Sequence, residues 1–198
     1  MKNPQHRVNT TKRLLREALL SLLSEKPLRS ITVKELCEHA KLNRGTFYAH
    51  YSDVFDLMEQ IEAEMKADFF AALASAFPEP GQLPPPKMTK KIFECIETNA
   101  DLCMVVIGPY GDREFARSLL RESREKYLES SLQSFPNADR MQIEAYYTFV
   151  SGGCYALMER WLREGMVESS ENLADAAERI MECGIRFLEQ GEQNGRDL

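Results

Sequence analysis

Residues 32–51 have the sequence TVKELCEHAKLNRGTFYAHY, which predicts two short helices joined by a turn. In the first helix, apolar residues recur at the spacing of one buried helical face, at Val33, Leu36, Cys37 and Ala40. Thr32 and Glu35 have the spacing of a capping box at its start, and the turn is Lys41-Leu42-Asn43. Two helices joined in this way are the layout of a helix-turn-helix, whose second helix can enter the major groove of DNA.

The second helix of the pair has an apolar side and a side made of small residues. Asn43 can cap it, and Phe47 and Tyr51, four residues apart, face inward at about 3.6 residues per turn. The opposite side carries Gly45, Thr46 and Ala49, with Arg44 and Tyr48 on one flank and His50 on the other. Small residues let a helix approach the groove floor closely. The alternative is a small helical hairpin inside an all-α domain.

Several polar side chains of this helix match the chemistry of DNA. Arg44 is its only side chain able to make a bidentate contact with guanine, and the Thr46 methyl can touch a thymine methyl. Tyr48 and His50 suit phosphates, which position a protein without specifying sequence. The predicted DNA-binding residues are Thr32, Asn43, Arg44, Gly45, Thr46, Tyr48 and His50, with Lys12 on the helix predicted over 10–24.

The residue identities in the motif are more specific than its helical spacing. Residues 44–51, RGTFYAHY, resemble the recognition helix of the TetR family of bacterial transcription regulators, and the resemblance runs from about Thr11 to Leu57. Residues 149–153, FVSGG, and 159–162, ERWL, are more loosely similar to the C-terminal region of a subgroup related to the dihydroxyacetone kinase regulator. The resemblance implies a homodimer with an N-terminal DNA-binding domain and a C-terminal ligand and dimerisation domain.

Two positions depart from the family's pattern. The family often has Gly in the turn where this chain has Lys41, so we expect Lys41 to adopt a left-handed backbone conformation that is unusual without Gly. The family often has a phosphate-binding Lys three residues after the final aromatic. Here that position is Val54, which cannot make the contact.

Composition narrows the class of protein. A 43% hydrophobic and 28% charged chain of 198 residues fits an ordinary soluble protein of one or two compact units. Because no apolar run reaches about eighteen residues and the N-terminus has no apolar stretch, neither a membrane span nor a secretory signal is predicted. The cysteines are odd in number and spread widely, at 37, 95, 103, 154 and 183. They predict reduced, mostly buried thiols in a cytoplasmic protein, with a redox sensor as the alternative.

Charge is distributed unevenly along the chain. Residues 1–52 hold ten Lys or Arg and four Asp or Glu, whereas the remainder holds 15 basic and 27 acidic residues. The formal net charge of −6 therefore divides into +6 and −12. A cationic segment that coincides with a helix pair favours binding to phosphate, while the acidic remainder favours solubility.

The pattern predicts an all-α fold of two domains. Residues 1–52 form the helix-turn-helix domain, and residues 53–198 form a ligand-binding and dimerisation domain. The second domain opens with a connecting helix over 53–77, capped by Ser52, and a Pro-rich linker over 78–87. Further helices are predicted over 10–24, 88–97 and 99–107, after a flexible arm over 1–9. Asp112 is predicted to cap a helix that ends near 135, Asn137 or Asp139 to start one that ends near 165, and Ser169 or Ser170 to cap the last, which ends near 190.

The last two helices suggest a dimer interface. Gly152 and Gly153 in mid-helix cost about 1 kcal/mol each relative to Ala, so close approach of another helix or a ligand is expected to offset them. The predicted interface comprises Gly152, Gly153, Leu173, Ala177, Ile180, Gly184, Ile185 and Leu188. The alternative is that the same stripe covers the core of a monomer.

The family resemblance implies a small-molecule pocket, and the residues themselves are only weak evidence for one. The candidate lining residues are Phe93, Ile96, Met104, Phe115, Leu119, Tyr127, Tyr146, Phe149, Met158 and Trp161. Such aromatic and Met residues at helical spacing also suit a plain core. No cluster of charge indicates the chemistry of the effector.

Catalysis is not predicted. The three histidines, His6, His39 and His50, lie in no hydrolase, metalloprotease or phosphate-loop motif, so no enzyme activity, cofactor or metal is expected. The sequence predicts a dimeric regulator that binds a palindromic operator, most simply a repressor released by a small molecule. One alternative is an activator or co-regulator acting through a protein partner. Another is a helical enzyme or ligand carrier whose basic end binds an acidic partner.

Overall fold

The computed structural model describes residues 4–74 and 87–190, and within them the chain forms nine α-helices and no strand. The predicted all-α class is confirmed. The helices are α1 Pro4–Glu25, α2 Val33–Ala40, α3 Arg44–Tyr48, α4 Val54–Ala74, α5 Lys87–Thr98, α6 Ala100–Ile107, α7 Arg113–Ser134, α8 Arg140–Arg163 and α9 Ser170–Gln190. The predicted linker falls outside the described residues, except for Lys87, which begins α5.

Side-chain caps fix several helix starts at the predicted places. Asp139 and Gln142 form a complete capping box at α8, with the Gln142 N–H donating to Asp139 Oδ1 at 2.7 Å. Asp112 accepts from the Glu114 N–H at α7. Ser169 accepts from the Asn172 N–H at α9. Each carboxylate or hydroxyl satisfies an amide that the first helical turn leaves unpaired.

Two helix starts differ from the prediction. Helix α1 begins at Pro4, which removes residues 4–9 from the predicted arm, because proline suits the first turn of a helix. Helix α4 is capped by Asp53 and not by Ser52, since Asp53 Oδ1 accepts from the N–H groups of Phe55 and Asp56 at 2.8 and 2.9 Å.

The chain divides into two compact units. The first comprises Met1–Ala67 and Asp101–Phe115. Its core contains fully buried side chains from α1 to α4 and from α6, namely Leu15, Leu19, Leu36, Phe47, Leu57 and Leu102. Arg16 of α1 pairs with Asp101 of α6 at 3.0 Å, so α6 belongs to the same unit as the helix pair. The predicted boundary at residue 52 stays a prediction.

The second unit comprises Asp68–Ala100 and Ala116–Leu198. Helices α5 and α8 each pack against α9. One core cluster consists of Leu128, Phe135, Ala138, Ile143, Tyr146 and Leu188. Trp161 meets Phe93 edge to face at 5.9 Å, and its indole N–H donates to the Glu168 carbonyl at 2.8 Å. Over the described ranges, every helix is too short or too polar to cross a membrane.

Candidate nucleic-acid interface

Helix α2 is held in place at its N-terminus. Thr32 Oγ1 accepts from the Glu35 N–H at 3.2 Å, which is one half of the predicted capping box. The other half is incomplete, because the Glu35 side chain is bound by Lys26. The Glu35 carboxylate pairs with the Lys26 ammonium, and this hydrogen bond is the main reason why the pKa of Glu35 is lowered. Leu36 and Cys37 are buried on the predicted inner face. The first helix of the pair is thus fixed to its unit by packing, a cap and an ion pair.

The turn between α2 and α3 has the backbone conformation expected from the sequence. Lys41 adopts φ 55° and ψ 41°, in the left-handed region. Its N–H donates to the carbonyls of Cys37 and Glu38, and the Leu42 N–H donates to Cys37 O at 2.9 Å. These bonds satisfy the last carbonyls of α2 and turn the chain towards α3.

Helix α3 is short and doubly capped. Asn43 Oδ1 accepts from the Thr46 N–H at 2.7 Å and from the Thr46 hydroxyl at 3.0 Å. Phe47 is fully buried and Tyr51 nearly so, which confirms their predicted inward orientation. Tyr51 follows α3 and is not part of it, although its N–H still donates to Phe47 O at 3.0 Å. A buried ring and a cap therefore set the orientation of five residues.

The outer side of α3 is the predicted one. Arg44, Gly45, Tyr48 and Ala49 are exposed, and Thr46 and His50 are half-buried. Because the Thr46 hydroxyl donates to Asn43, its methyl group and an acceptor lone pair are left for a base edge. A Cβ at Gly45 would lie 3.3 Å from Asn43 Oδ1, so a larger residue there would press on the cap.

Tyr48 is anchored by its ring while its hydroxyl side faces solvent. The side chain is 57% exposed, and its ring meets the buried Phe47 ring edge to face at 5.4 Å. A ring held in this way positions a hydroxyl with little loss of side-chain entropy. Such a group suits a phosphate oxygen at the groove edge.

Among residues 12–44, the lysines and arginines fall into two classes. Those with a carboxylate partner are Arg13 with Glu17, Arg16 with Asp101, Lys26 with Glu35 and Lys34 with Glu38. Within the described ranges, Lys12, Arg29, Lys41 and Arg44 have no carboxylate partner. Only the second class can neutralise phosphates without first breaking an ion pair. Of Lys12, Arg13 and Arg16 on α1, this selects Lys12.

The start of α4 is unsuited to phosphate. Val54 is buried, and the carboxylate of Asp53 occupies the first amides of the helix. Asp56 Oδ2 accepts from the N–H and the hydroxyl of Ser52 at 2.8 and 3.0 Å. These bonds, led by the Ser52 N–H, lower the pKa of Asp56 and keep it charged. As expected from the sequence, Val54 therefore offers no phosphate contact at the start of α4.

Comparison with known families decides the class of protein. The family model described as Bacterial regulatory proteins, tetR family, matches residues 15–61, and the one described as Transcriptional regulator C-terminal region matches residues 85–183. The chain belongs to the TetR family. This TetR-family protein is a transcription regulator with a helix-turn-helix DNA-binding domain, not an enzyme.

Individual relatives agree with that assignment. Over 63 residues, 32% of this chain, it is 41% identical to YxbF of Bacillus subtilis strain 168, an uncharacterized HTH-type transcriptional regulator; the matched segment is 17% of that protein. The fatty acid degradation regulator FadR from Bacillus halodurans has a similar structure, with a TM-score of 0.63, 11% identity and coverage of 94% of this chain and 98% of FadR. The dihydroxyacetone kinase operon activator DhaS is also similar, with a TM-score of 0.56, 15% identity and coverage of 89% of this chain and 96% of DhaS. At these identities the structural likeness shows the fold alone.

The predicted pocket residues of this TetR-family regulator belong to both units and differ in exposure. Met104 and Phe115 belong to the first unit, and Met104 is exposed. Phe149 is 76% exposed on α8. The remaining candidates are buried or half-buried in the second unit: Phe93, Ile96, Leu119, Tyr127, Tyr146, Met158 and Trp161. The sequence did not distinguish these positions because all of them are apolar and lie at helical spacing.

The predicted dimer residues also divide. Leu173, Ala177 and Leu188 are buried inside their own unit, and Ile185 packs against its core, so for these four the monomer-core alternative describes their position. A Cβ at Gly184 would lie 2.8 Å from Tyr146 Cε2, so this glycine allows close packing within the chain. Gly152, Gly153 and Ile180 face outward.

Further exposed apolar residues that the sequence analysis did not select lie on the same two helices. On α8 they are Met141, Ala145 and Ala156, and on α9 they are Ala176, Cys183 and Phe187. Their three- and four-residue spacing, next to the inward stripe, was a detectable sign of a second apolar face.

Proposed function

We propose that this regulator is a homodimeric repressor that inserts one α3 from each protomer into successive major grooves of a pseudo-palindromic operator. A small molecule bound in the second unit releases it from DNA. The observation that carries the proposal is the outer side of α3, where small residues and Arg44, which lacks a carboxylate partner among the described residues, are exposed on a helix fixed by Asn43 and Phe47.

The surface around α3 supports sequence-selective binding. Arg44 is free to make a bidentate contact with guanine, and the Thr46 methyl suits thymine. Asn43 Oδ1 is occupied by Thr46, while its amide Nδ2 has no hydrogen-bond partner among the described residues and suits a phosphate. Fixed groups of this kind bind without a large loss of side-chain freedom.

The second unit supports the dimer. Ile180 is 60% exposed, and Phe149 is exposed still more, although both are large and apolar. A Cβ added at Gly152 or Gly153 would meet nothing within 4 Å, so no contact within the chain offsets their low helix propensity. Close approach of a second copy across a two-fold axis would use both the glycines and the exposed apolar side chains.

The geometry of DNA then constrains the operator. Two copies related by a two-fold axis require an inverted repeat, with half-site centres about 34–36 Å apart or a multiple of that spacing. Half-sites more than one helical turn apart can be bound by one dimer if the operator bends or if the two recognition helices lie further apart than one turn. Base preferences are expected where Arg44 and Thr46 face the groove.

Two half-buried tyrosines in the second unit support a small apolar or aromatic effector. The ring centroids of Tyr127 and Tyr147 lie 5.1 Å apart, and burial raises the pKa of the Tyr127 hydroxyl to about 12. The Tyr147 hydroxyl donates to the Leu120 carbonyl at 2.6 Å. An effector can release DNA only if it binds one arrangement of the two protomers better than the other, and we propose that α4 transmits the difference.

Selection of sites from a random duplex library by the full-length protein tests the DNA-binding part. We expect an inverted repeat. Thr46→Ala should change preference among selected sites, whereas Lys12→Ala should weaken all duplexes alike and reduce the salt dependence. If both variants bind as the wild type does, the interface is misassigned.

Transcript levels separate repression from activation. Deletion of the gene should raise transcription next to the selected sites, and adding back the Arg44→Ala variant should not restore repression. A fall in transcription on deletion would favour the alternative, an activator or co-regulator that acts through a protein partner. Screening of small molecules for release of the selected duplex tests the effector.

A further inference from the structure

Lys41 has a backbone conformation that the fold itself does not favour for lysine. Its φ of 55° lies in the region where a Cβ is unfavourable and glycine is preferred. The hydrogen bonds of this turn come from backbone groups only, from the N–H of Lys41 and of Leu42. Glycine would make the same bonds, so the turn gives no reason for a lysine side chain.

No contact of the Lys41 side chain explains its presence either. The residue is exposed, and within the described part of the chain its ammonium has neither a carboxylate partner nor a hydrogen bond. The nearest acidic residue in sequence, Glu38, is instead 3.9 Å from the ammonium of Lys34. A strongly hydrated point charge is thus held at a strained position and left unneutralised.

The position of Lys41 in the chain suits a DNA phosphate. It precedes the cap residue Asn43 by two residues and Arg44, the first residue of α3, by three. In a helix-turn-helix, the N-terminal end of the second helix contacts base edges, so the turn before it lies at the rim of the groove, where phosphates run. The long, flexible lysine stem lets the charge reach them.

The start of α4 cannot supply the same contact. There Val54 is buried, and the carboxylates of Asp53 and Asp56 occupy the amides and hydroxyl of the first turn. Because these carboxylates repel phosphate, a cation close to α3 is placed better on the side of the α2–α3 turn.

We propose that Lys41 binds a backbone phosphate beside the groove that α3 enters, and that this contact sets affinity and salt dependence without affecting sequence preference. The inference rests on the proposed function, in which α3 enters the major groove. Glycine would suit the turn better, so the role of the lysine side chain lies in the DNA-bound state.

The test compares Lys41→Gly, Lys41→Asn and Lys41→Arg with the wild type on two duplexes, a selected site and a scrambled one, over a series of salt concentrations. Gly and Asn both accept the left-handed conformation, but neither carries charge. Both variants should bind both duplexes roughly three- to tenfold more weakly, and the slope of log K against log salt should fall by about 0.9 per protomer. Lys41→Arg should retain the slope, and Lys41→Gly should also raise the midpoint of thermal unfolding.

Met166→Gly is the matched control, since Met166 is the other non-glycine residue with positive φ among the described residues and lies in the second unit. It should leave DNA affinity and slope unchanged. If Lys41→Gly and Lys41→Asn bind with the affinity and salt slope of the wild type, the inference is overturned. If the loss of affinity is confined to the selected site, Lys41 contacts a base and not a phosphate. If the wild type binds neither duplex at low salt, the proposed function itself fails and the inference falls with it.

Discussion

The first unit leaves charge uncompensated, whereas the second leaves apolar surface uncovered. Around α3, Arg44 and Lys41 lack carboxylate partners within the described residues, although four other cations among residues 12–44 have them. On α8, Phe149 is 76% exposed, and a Cβ added at either of two glycines, Gly152 or Gly153, would meet nothing within 4 Å.

The difference shows what kind of partner each surface suits. Unpaired cations gain free energy when phosphate releases its counterions, and they gain little from another protein surface of ordinary composition. Exposed aromatic and aliphatic side chains gain free energy only when something apolar removes them from water. One chain thus carries two incomplete surfaces whose chemistry is not interchangeable.

The largest effect is expected when a charge is placed on the exposed apolar surface of α8. Phe149→Glu should weaken dimerisation by about 3 kcal/mol or more, over a hundredfold, because a buried unpaired charge would replace an apolar anchor. Sedimentation velocity over a range of concentrations measures this, with circular dichroism to confirm that the variant folds. Val167→Glu, which alters an 84% exposed residue in the α8–α9 turn, should remain dimeric. Dimerisation of Phe149→Glu at wild-type strength would exclude this surface.

Removing charge from the polar surface should have a smaller effect. Arg44→Ala should weaken binding to a selected site by about 1–3 kcal/mol, since that is the range for a bidentate base contact. Arg44→Lys keeps the charge but not the planar pair of donors, so it should retain binding to scrambled DNA while losing selectivity. Fluorescence anisotropy with both duplexes checks this. If Arg44→Ala lost equally on both duplexes and Arg44→Lys bound both as the wild type does, Arg44 would be assigned to a phosphate.

Glycine replacements compare a packed position with an open one. Gly184→Ala should destabilise the second unit by about 1–3 kcal/mol, because the new Cβ would press on Tyr146. Gly152→Ala meets open space and should stabilise the protomer by up to about 1 kcal/mol through helix propensity. Urea unfolding in the Phe149→Glu background removes the contribution of dimerisation. The opposite order of stabilities would contradict the packing at Gly184.

The smallest effect is expected on the pH dependence of stability, through a carboxyl group of the first unit. Partial burial, with Asp112 and Glu59 nearby, raises the pKa of Glu62 to about 7. The folded state therefore binds more protons than the unfolded state between about pH 4.5 and 7, and stability falls as pH rises through that window. Because the group is half-exposed, solvent screening reduces the effect to about 1 kcal/mol.

Glu62→Gln should accordingly stabilise the protein at pH 8 and have little effect at pH 5, as measured by urea unfolding. Glu64→Gln on the same helix is the control and should show the same difference from the wild type at both pH values. A pH-independent effect of Glu62→Gln would mean that the Glu62 carboxyl is not the titrating group.

The helix-turn-helix was largely predictable because its signals are local. Thr32, Asn43 and the spacing of Phe47 and Tyr51 predicted caps and burial that the structure confirms. The left-handed Lys41 was predicted as well, because the family's glycine marks a position where φ is positive. The end of α3 and the cap of α4 were wrong by a few residues, since neighbouring Ser and Asp compete for the same amides.

Surfaces built from several helices were less predictable. The spacing of four residues already indicated the pairs of Arg13 with Glu17 and of Lys34 with Glu38. Arg16 and Asp101, however, are 85 positions apart, and no local pattern showed that they would pair. Nor did the stripe on α9 indicate which of its apolar residues face the core of the second unit, because that helix is apolar on two adjacent sides.

By itself, the sequence determined an all-α regulator of the TetR family, with caps, a turn and a recognition helix at named residues, because those features depend on bonds spanning three or four residues. The tertiary structure alone decided the pairing of Arg16 with Asp101, which glycines face open space and which apolar residues lie outside the core. Those properties depend on which helix packs against which, and charge and apolar area are compensated only where distant segments meet.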